Sequence, residues 1–287
     1  MPRTIDEGFR DFLTKLTPSS TETEAAKKHR ASIEQCLKNN FNLLRFWRIG
    51  SFGNGTCISG YSDTDYLASI GDLSANSKVS LQKVRDALIT RFPNTGVTVR
   101  CPAVKVPFGS LPRETTEVVP GDLVSTKPYF IYDIPDCSGG WMRTSPDAHN
   151  AYVRSINEKH SSKVKPLIRF IKAWKYYRSV PISSFYLEMR VAKYCEGESL
   201  IIYRFDIEYF LRQMLNGGLA KIQDPAGISG YISPCSSLAN HADAISKLQT
   251  ALQRAENANK AQKEGDIKAA FEWWNKFYYY EFPSYSK

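Results

Sequence analysis

An α+β chain of two lobes is the fold class this sequence predicts. A mixed, twisted sheet with flanking helices is expected over residues 1–146, packed on a helical lobe over residues 147–287. Three observations carry the expectation. Short apolar and aromatic runs bounded by glycine and proline recur between residues 43 and 119, as strands do. From about Asp147 onward the apolar spacing is helical. No internal repeat or low-complexity linker interrupts the chain, so the lobes are expected to have no flexible joint.

Each element follows from its residues. Phe9, Leu13 and Leu16 recur at helical spacing, and Pro18 stops that first helix. Thr21 and Glu24 form a capping box that opens a second helix running to about Asn40. Leu43–Ile49 is apolar and aromatic and ends at Gly50, which predicts a strand. Asp63–Ile70 predicts another. The helix that follows is capped near Ser80, with Leu81, Val84, Leu88 and Phe92 on one face. Val97–Phe108 and Thr115–Val119 read as extended segments. In the second half, Pro166–Tyr177 carries an apolar stripe of Leu167, Ile171 and Trp174, while Lys165, Arg169 and Lys172 share another face. Asp206 caps a helix that Gly217 and Gly218 end. A long helix carries Ile245, Leu248, Leu252 and Ala255 inward; Gly265 and Asp266 break it before a last helix over Ile267–Phe277.

Composition narrows the function classes. A net charge of +9 suits an anionic partner, although no basic run reads as a nucleic-acid tail. The 6 cysteines stand singly, without CxxC or zinc spacing, which fits a reducing compartment better than a disulfide framework. The polar, acidic start is unlike a signal peptide, and no apolar run reaches membrane-spanning length. A cytoplasmic protein is expected. The histidines lie far apart and carry no expected role; nothing near Cys57 or Cys101 activates a thiol.

The chemistry concentrates in one stretch. Gly50-Ser51-Phe52-Gly53-Asn54-Gly55 makes a glycine- and serine-rich turn after a strand, where backbone N–H groups approach phosphate oxygens closely and Ser51 offers a hydroxyl. Asp63 and Asp65, two apart on the next strand, project from the same face. Paired carboxylates repel unless cations neutralise them, so two magnesium ions (or manganese) are the natural occupants. A third carboxylate closes such a site. Glu114, Glu117, Asp122 and Asp133 are the candidates, and Glu117 leads because it directly precedes Val118-Val119-Pro120. Locally, Lys172 reads equally as solvated helix face or phosphate ligand. Ser184 reads as a helix N-cap and Phe185 as core. The aromatics from Trp273 to Phe282 read as packing.

Gly50-Ser51, eleven residues, then Asp63-Thr64-Asp65 resembles the motif of the DNA polymerase β-like nucleotidyltransferases. Glu117-Val118-Val119-Pro120, Ile134–Trp141, Ser145–His149, Arg169–Trp174 and Gly265–Ala270 with Trp274 and Phe282-Pro283 are similar to oligoadenylate synthase, cyclic GMP-AMP synthase and the bacterial CD-NTases of anti-phage signalling. Three departures mark this chain: Thr64 where an aliphatic residue is usual, Gly121 where alanine is common, and Glu117 where many relatives have aspartate.

The resemblance implies a nucleotidyltransferase that joins nucleoside triphosphates (ATP, GTP or pyrimidine nucleotides) into cyclic or linear oligonucleotides, which activate a separate effector protein. Asp63, Asp65 and Glu117 would hold two magnesium ions; Gly50, Ser51, Lys172 and Ser184 would bind the nucleotide, with Phe185 stacking on a base. No direct nucleic-acid binding is required. The rivals are a transferase acting on RNA, protein or a small molecule, and a silent nucleic-acid-sensing module. The full acid set argues against the second.

Overall fold

A computed structural model of the protein describes residues 3–19, 29–110 and 114–286. The capping box at Thr21 and Glu24 lies outside the described residues. The chain divides into two compact units, a sheet unit of residues 18–151 with 226–230, and a helical unit of residues 1–17, 152–225 and 231–287. This differs from the expected division at 146. The first helix, α1 (Ile5–Leu16), belongs with the helical unit, because its apolar face is aromatic and finds aromatic partners there. Phe9 sits 5.0 Å from Phe170 and 5.1 Å from Trp274, and Phe12 sits 4.5 Å from Tyr278.

In the sheet unit, α2 (Arg30–Asn40) leads into β1 (Leu43–Arg48), the one-turn helix α3 (Gly50–Asn54), β2 (Thr64–Ile70) and α4 (Ser77–Arg91). Strands β3 (Thr98–Arg100), β4 (Ala103–Pro107), β5 (Thr115–Ser125), β6 (Ile131–Pro135) and β7 (Trp141–Thr144) follow. The sheet runs β1-β2-β5-β4-β3, with β6 on the far end of β5 and β7 on β6. Among the described residues only the β2–β5 pair is parallel.

Period-two alternation sorts the two faces. Tyr66, Ala68, Ile70, Val104, Val106 and Val118 point to a core filled by Ile33 and Leu37 of α2 and Leu81, Val84 and Leu88 of α4. Burying each such aliphatic side chain stabilises by about 1.5–3 kcal/mol. Asp65, Lys105 and Glu117 fall on the opposite face.

Several sequence expectations shift. The Val97–Phe108 segment is a hairpin, turned at Cys101 and Pro102. Asn76, not Ser80, caps α4, its side chain accepting from Lys78 N at 3.0 Å; Ser80 is buried and accepts from Ser74 N. Cys101 and Cys137 are disulfide-bonded, against the reading of single thiols. The β3–β4 turn and the β6–β7 turn bring them together across 36 residues.

The helical unit continues from α5 (Pro146–Lys159), within which the division falls, through α6 (Val164–Tyr177), α7 (Ser184–Glu196), α8 (Tyr203–Asn216), a small β8–β9 pair (Ile222–Gln223, Tyr231–Ile232), α9 (Leu238–Lys263) and α10 (Ile267–Phe277). α8 begins three residues before Asp206, which still serves the helix start by accepting from Ile202 N and the Tyr194 hydroxyl. Among the described residues no helix is long and apolar enough to cross a membrane.

Candidate active site

The sheet register assembles the site. β2 and β5 run parallel with Asp65 directly opposite Glu117, and Asp63 stands just before β2. One carboxylate oxygen from each of Asp63, Asp65 and Glu117 lies within 4.8 Å of the others. The other candidate acids fall elsewhere: Asp122 faces Asp133 on the β5–β6 ladder, and Asp133 pairs with Arg143 at 3.3 Å.

The turn after β1 is shaped around these carboxylates. Ile49 N donates to the Asp65 carbonyl at 2.9 Å, tying the turn to β2. Gly50 has φ +59, and a Cβ there would stand 2.0 Å from Asp65 Oδ2. Only glycine fits, both for its backbone and for the space the carboxylate takes. Ser51 follows in α3, half-buried, and its carbonyl accepts from Thr56 N at 2.9 Å.

Electrostatics fit a cation. Among the described residues, buried Glu117 Oε1 accepts no hydrogen bond, and Arg100 Nη1 lies 3.7 Å from it. Burial, then the charge of Asp63, push the Glu117 carboxyl above the usual carboxylate range, against the pull of Arg100 and Lys105. Three hard oxygen donors, one of them buried and short of a partner, are what a divalent metal ion satisfies.

The helical unit places the remaining expected residues differently. Lys172 is fully buried and bonds Glu188 Oε1 at 2.7 Å, the two forming an interior ion pair. A desolvated ammonium paired with a desolvated carboxylate is a structural tie; here Lys172 is held in that pair, whereas the resemblance implied that it reaches a triphosphate. Lys175, one turn on and missed in the sequence, donates to Ser184 Oγ at 2.5 Å, and Tyr176 OH lies 3.3 Å from the same oxygen. Ser184 is not the N-cap. Ser183 takes that role, accepting from Tyr186 N at 3.3 Å, which leaves the Ser184 hydroxyl to Lys175 and Tyr176. Phe185 is 36% exposed, unlike a core ring. The signal for Lys175 was present: it is the lysine of that helix beside the serine-bearing turn.

The Ile134–Trp141 stretch proves to be scaffolding. Asp136 accepts from Ser138 Oγ and from the N–H groups of Ser138 and Gly139, which hold its carboxyl below the usual range. Gly139 O receives Ser77 N, and Trp141 Nε1 donates to Ala75 O, so this turn anchors the start of α4. Ser145 caps α5 by accepting from Ala148 N, and Asp147 pairs with Arg45 at 3.4 Å.

The family model described as the Second Messenger Oligonucleotide or Dinucleotide Synthetase domain matches residues 3–157. A probable cyclic nucleotide synthase of Bacillus cereus is 28% identical over 258 residues, covering 81% of this chain and 75% of that protein. Among solved structures, Escherichia coli CdnC with ATP aligns over 97% of this chain and 98% of its own at a TM-score of 0.76 and 18% identity. The Vibrio cholerae cyclic AMP-GMP synthase DncV aligns over 96% and 87% at a TM-score of 0.65 and 13% identity. At those identities the structural likeness shows the fold, a mixed sheet with flanking helices and a helical C-terminal part.

Proposed function

The chain belongs to the Second Messenger Oligonucleotide or Dinucleotide Synthetase family and is a nucleotidyltransferase that makes cyclic oligonucleotides; from that premise we propose how its residues divide the work. The single observation that carries the reading is the Asp63, Asp65 and Glu117 cluster set against a glycine turn. A ribose hydroxyl of one nucleotide attacks the α-phosphate of a bound triphosphate. The new P–O bond forms as the bond to pyrophosphate breaks, and the hydroxyl proton passes to solvent. Two magnesium ions, or manganese, held by the three carboxylates would lower the pKa of that hydroxyl and offset charge on the leaving oxygens.

The protein's own groups orient the reactants. Gly50 leaves room for the Asp65 carboxylate, and Ser51 binds the donor phosphates. In the helical unit, Lys175 and Ser184 form a phosphate-binding pair, and Phe185 supplies a stacking face for a base. The substrates are ribonucleoside triphosphates; the similar CdnC is solved with ATP, and DncV with the linear intermediate pppApG. A second round of attack closes the ring, and the product signals to a separate effector protein in anti-phage defence.

Incubating the purified protein with all four labelled ribonucleotides and magnesium or manganese tests this. A phosphatase-resistant product is expected, absent from Asp63→Asn/Asp65→Asn. Label transferred to RNA or to protein instead would replace the cyclic product with a polymer or protein acceptor.

A further inference from the structure

The C-terminal ends of α6 and α10 and the middle of α9 line an open pocket of about 410 Å³, in the size range of small-molecule sites. Arg178, Lys247 and Arg254 line it, and among the described residues no carboxylate does. None of the residues assigned to the reaction lines it either. These cations already have work. Arg178 Nε donates to Phe277 O, Arg178 Nη2 to Lys276 O, and Arg254 Nη1 to Lys276 O at 3.0 Å; Lys247 Nζ donates to Ser179 O and pairs with Asp243. They therefore cap the carbonyls at two helix ends, a bland role that accounts for part of the charge. It does not use all of it: among the described residues, Arg178 Nη1 and Arg254 Nη2 make no hydrogen bond.

A second observation points past capping. Two lining residues hold left-handed backbone that side chains other than glycine rarely adopt, Ser179 at φ +50 and Tyr279 at φ +57, and Tyr280 beside the latter is at φ +66. Helices commonly end this way, but on glycine. A bulky aromatic there is strained, and such strain collects at ligand clamps. Its effect is to hold the Tyr279 ring, 59% exposed, with the Arg178 guanidinium 4.8 Å from its centroid. A flat aromatic wall thus stands beside unspent guanidinium donors.

We propose that this pocket is a second, non-catalytic binding site for a nucleoside phosphate, whose base stacks on Tyr279 and whose phosphate is held by Arg178, Arg254 and Lys247. Planar ring and anion are both required: arginine forks suit phosphate oxygens, and the exposed ring offers stacking area.

The test is calorimetric titration of the full chain with ATP in EDTA, in an Asp63→Asn/Asp65→Asn/Lys175→Ala background that weakens the catalytic site. One equivalent of ATP is expected to bind, with adenosine and inorganic tripolyphosphate each at least about tenfold weaker because each lacks one half of the recognition. Lys247→Glu and Tyr279→Ala are each expected to weaken ATP by about tenfold or more. Lys247 is part-exposed and Tyr279 lies at the surface, so both variants should keep the wild-type melting temperature within a few degrees, which a thermal melt checks. ATP binding unchanged within about twofold in both variants, or no binding in the parent background, overturns the proposal and leaves the arginines as helix caps alone.

Discussion

At the scale of single residues, Glu117 and Lys172 show how burial sets what a charged side chain can do. Burial and Asp63 raise the Glu117 pKa, so protons compete with metal there. A carboxyl whose folded pKa lies above its unfolded value contributes stability below the unfolded pKa, and that contribution is lost as pH rises through the folded one. Metal reverses the balance by binding the ionised form. Thermal melts across pH 4.5–8 with and without magnesium should therefore show metal stabilisation that grows as pH rises through the elevated Glu117 pKa. In Glu117→Gln that pH dependence should flatten; an unchanged profile would place the titration on another group. The lysines separate in the same manner. Lys172→Met leaves the Glu188 carboxylate buried without its cation and is expected to cost about 3–5 kcal/mol, with Lys172→Met/Glu188→Leu recovering most of it. Lys175→Ala should leave stability within about 1 kcal/mol and raise KM for the nucleotide about tenfold. Denaturant melts and initial rates on the same preparations decide between the two assignments.

At the scale of elements, the β1–α3–β2 unit shows what was legible and why. Gly50, Ser51, Asp63 and Asp65 lie on one short stretch, so local rules sufficed: a glycine ends a strand, and residues two apart share a face. Glu117 needed a sheet partner, and only its strand-like setting pointed to the parallel register with β2. Lys175 was passed over because a helix face shows which residues cluster and not which are buried; Lys172 sits among Leu167, Ile168 and Ile171 inside the unit. The β6–β7 hairpin and the Cys101–Cys137 bond were invisible for a similar reason, since both depend on turns packing together across the chain. The same element carries a sharp prediction. Gly50→Ala forces a methyl group to 2.0 Å from Asp65 Oδ2 on a left-handed backbone, so the carboxylate must swing away. Displacement of a ligand by that much is expected to lower turnover roughly 100-fold. The backbone strain itself costs only about 1–2 kcal/mol, so the variant should remain folded by circular dichroism.

At the scale of the whole molecule, chain order and architecture part company. Helix α1 comes first in sequence, before the strands that carry the acids, yet its core residues are those of the helical unit. Periodicity located the helix correctly, because Phe9, Leu13 and Leu16 sit on spacing that any amphipathic helix would show. What periodicity lacks is the identity of the partner. Here the partner is set by ring shape: Phe9 meets Phe170, Trp274 and Phe282 edge-on, and Phe12 packs between Tyr278 and Phe282. Gly8 belongs to the same fit, since a Cβ there would come within 2.9 Å of Phe271. Phe12→Ala is therefore expected to destabilise the protein by about 3–5 kcal/mol, the range for emptying a buried phenylalanine site. Arg10→Ala, on the exposed face of the same helix with only a 3.9 Å contact to Glu7, should stay within about 0.5 kcal/mol. Urea melts of the pair measure the difference. A Phe12→Ala variant as stable as Arg10→Ala would mean that α1 is an appendage and that the helical core begins at residue 152.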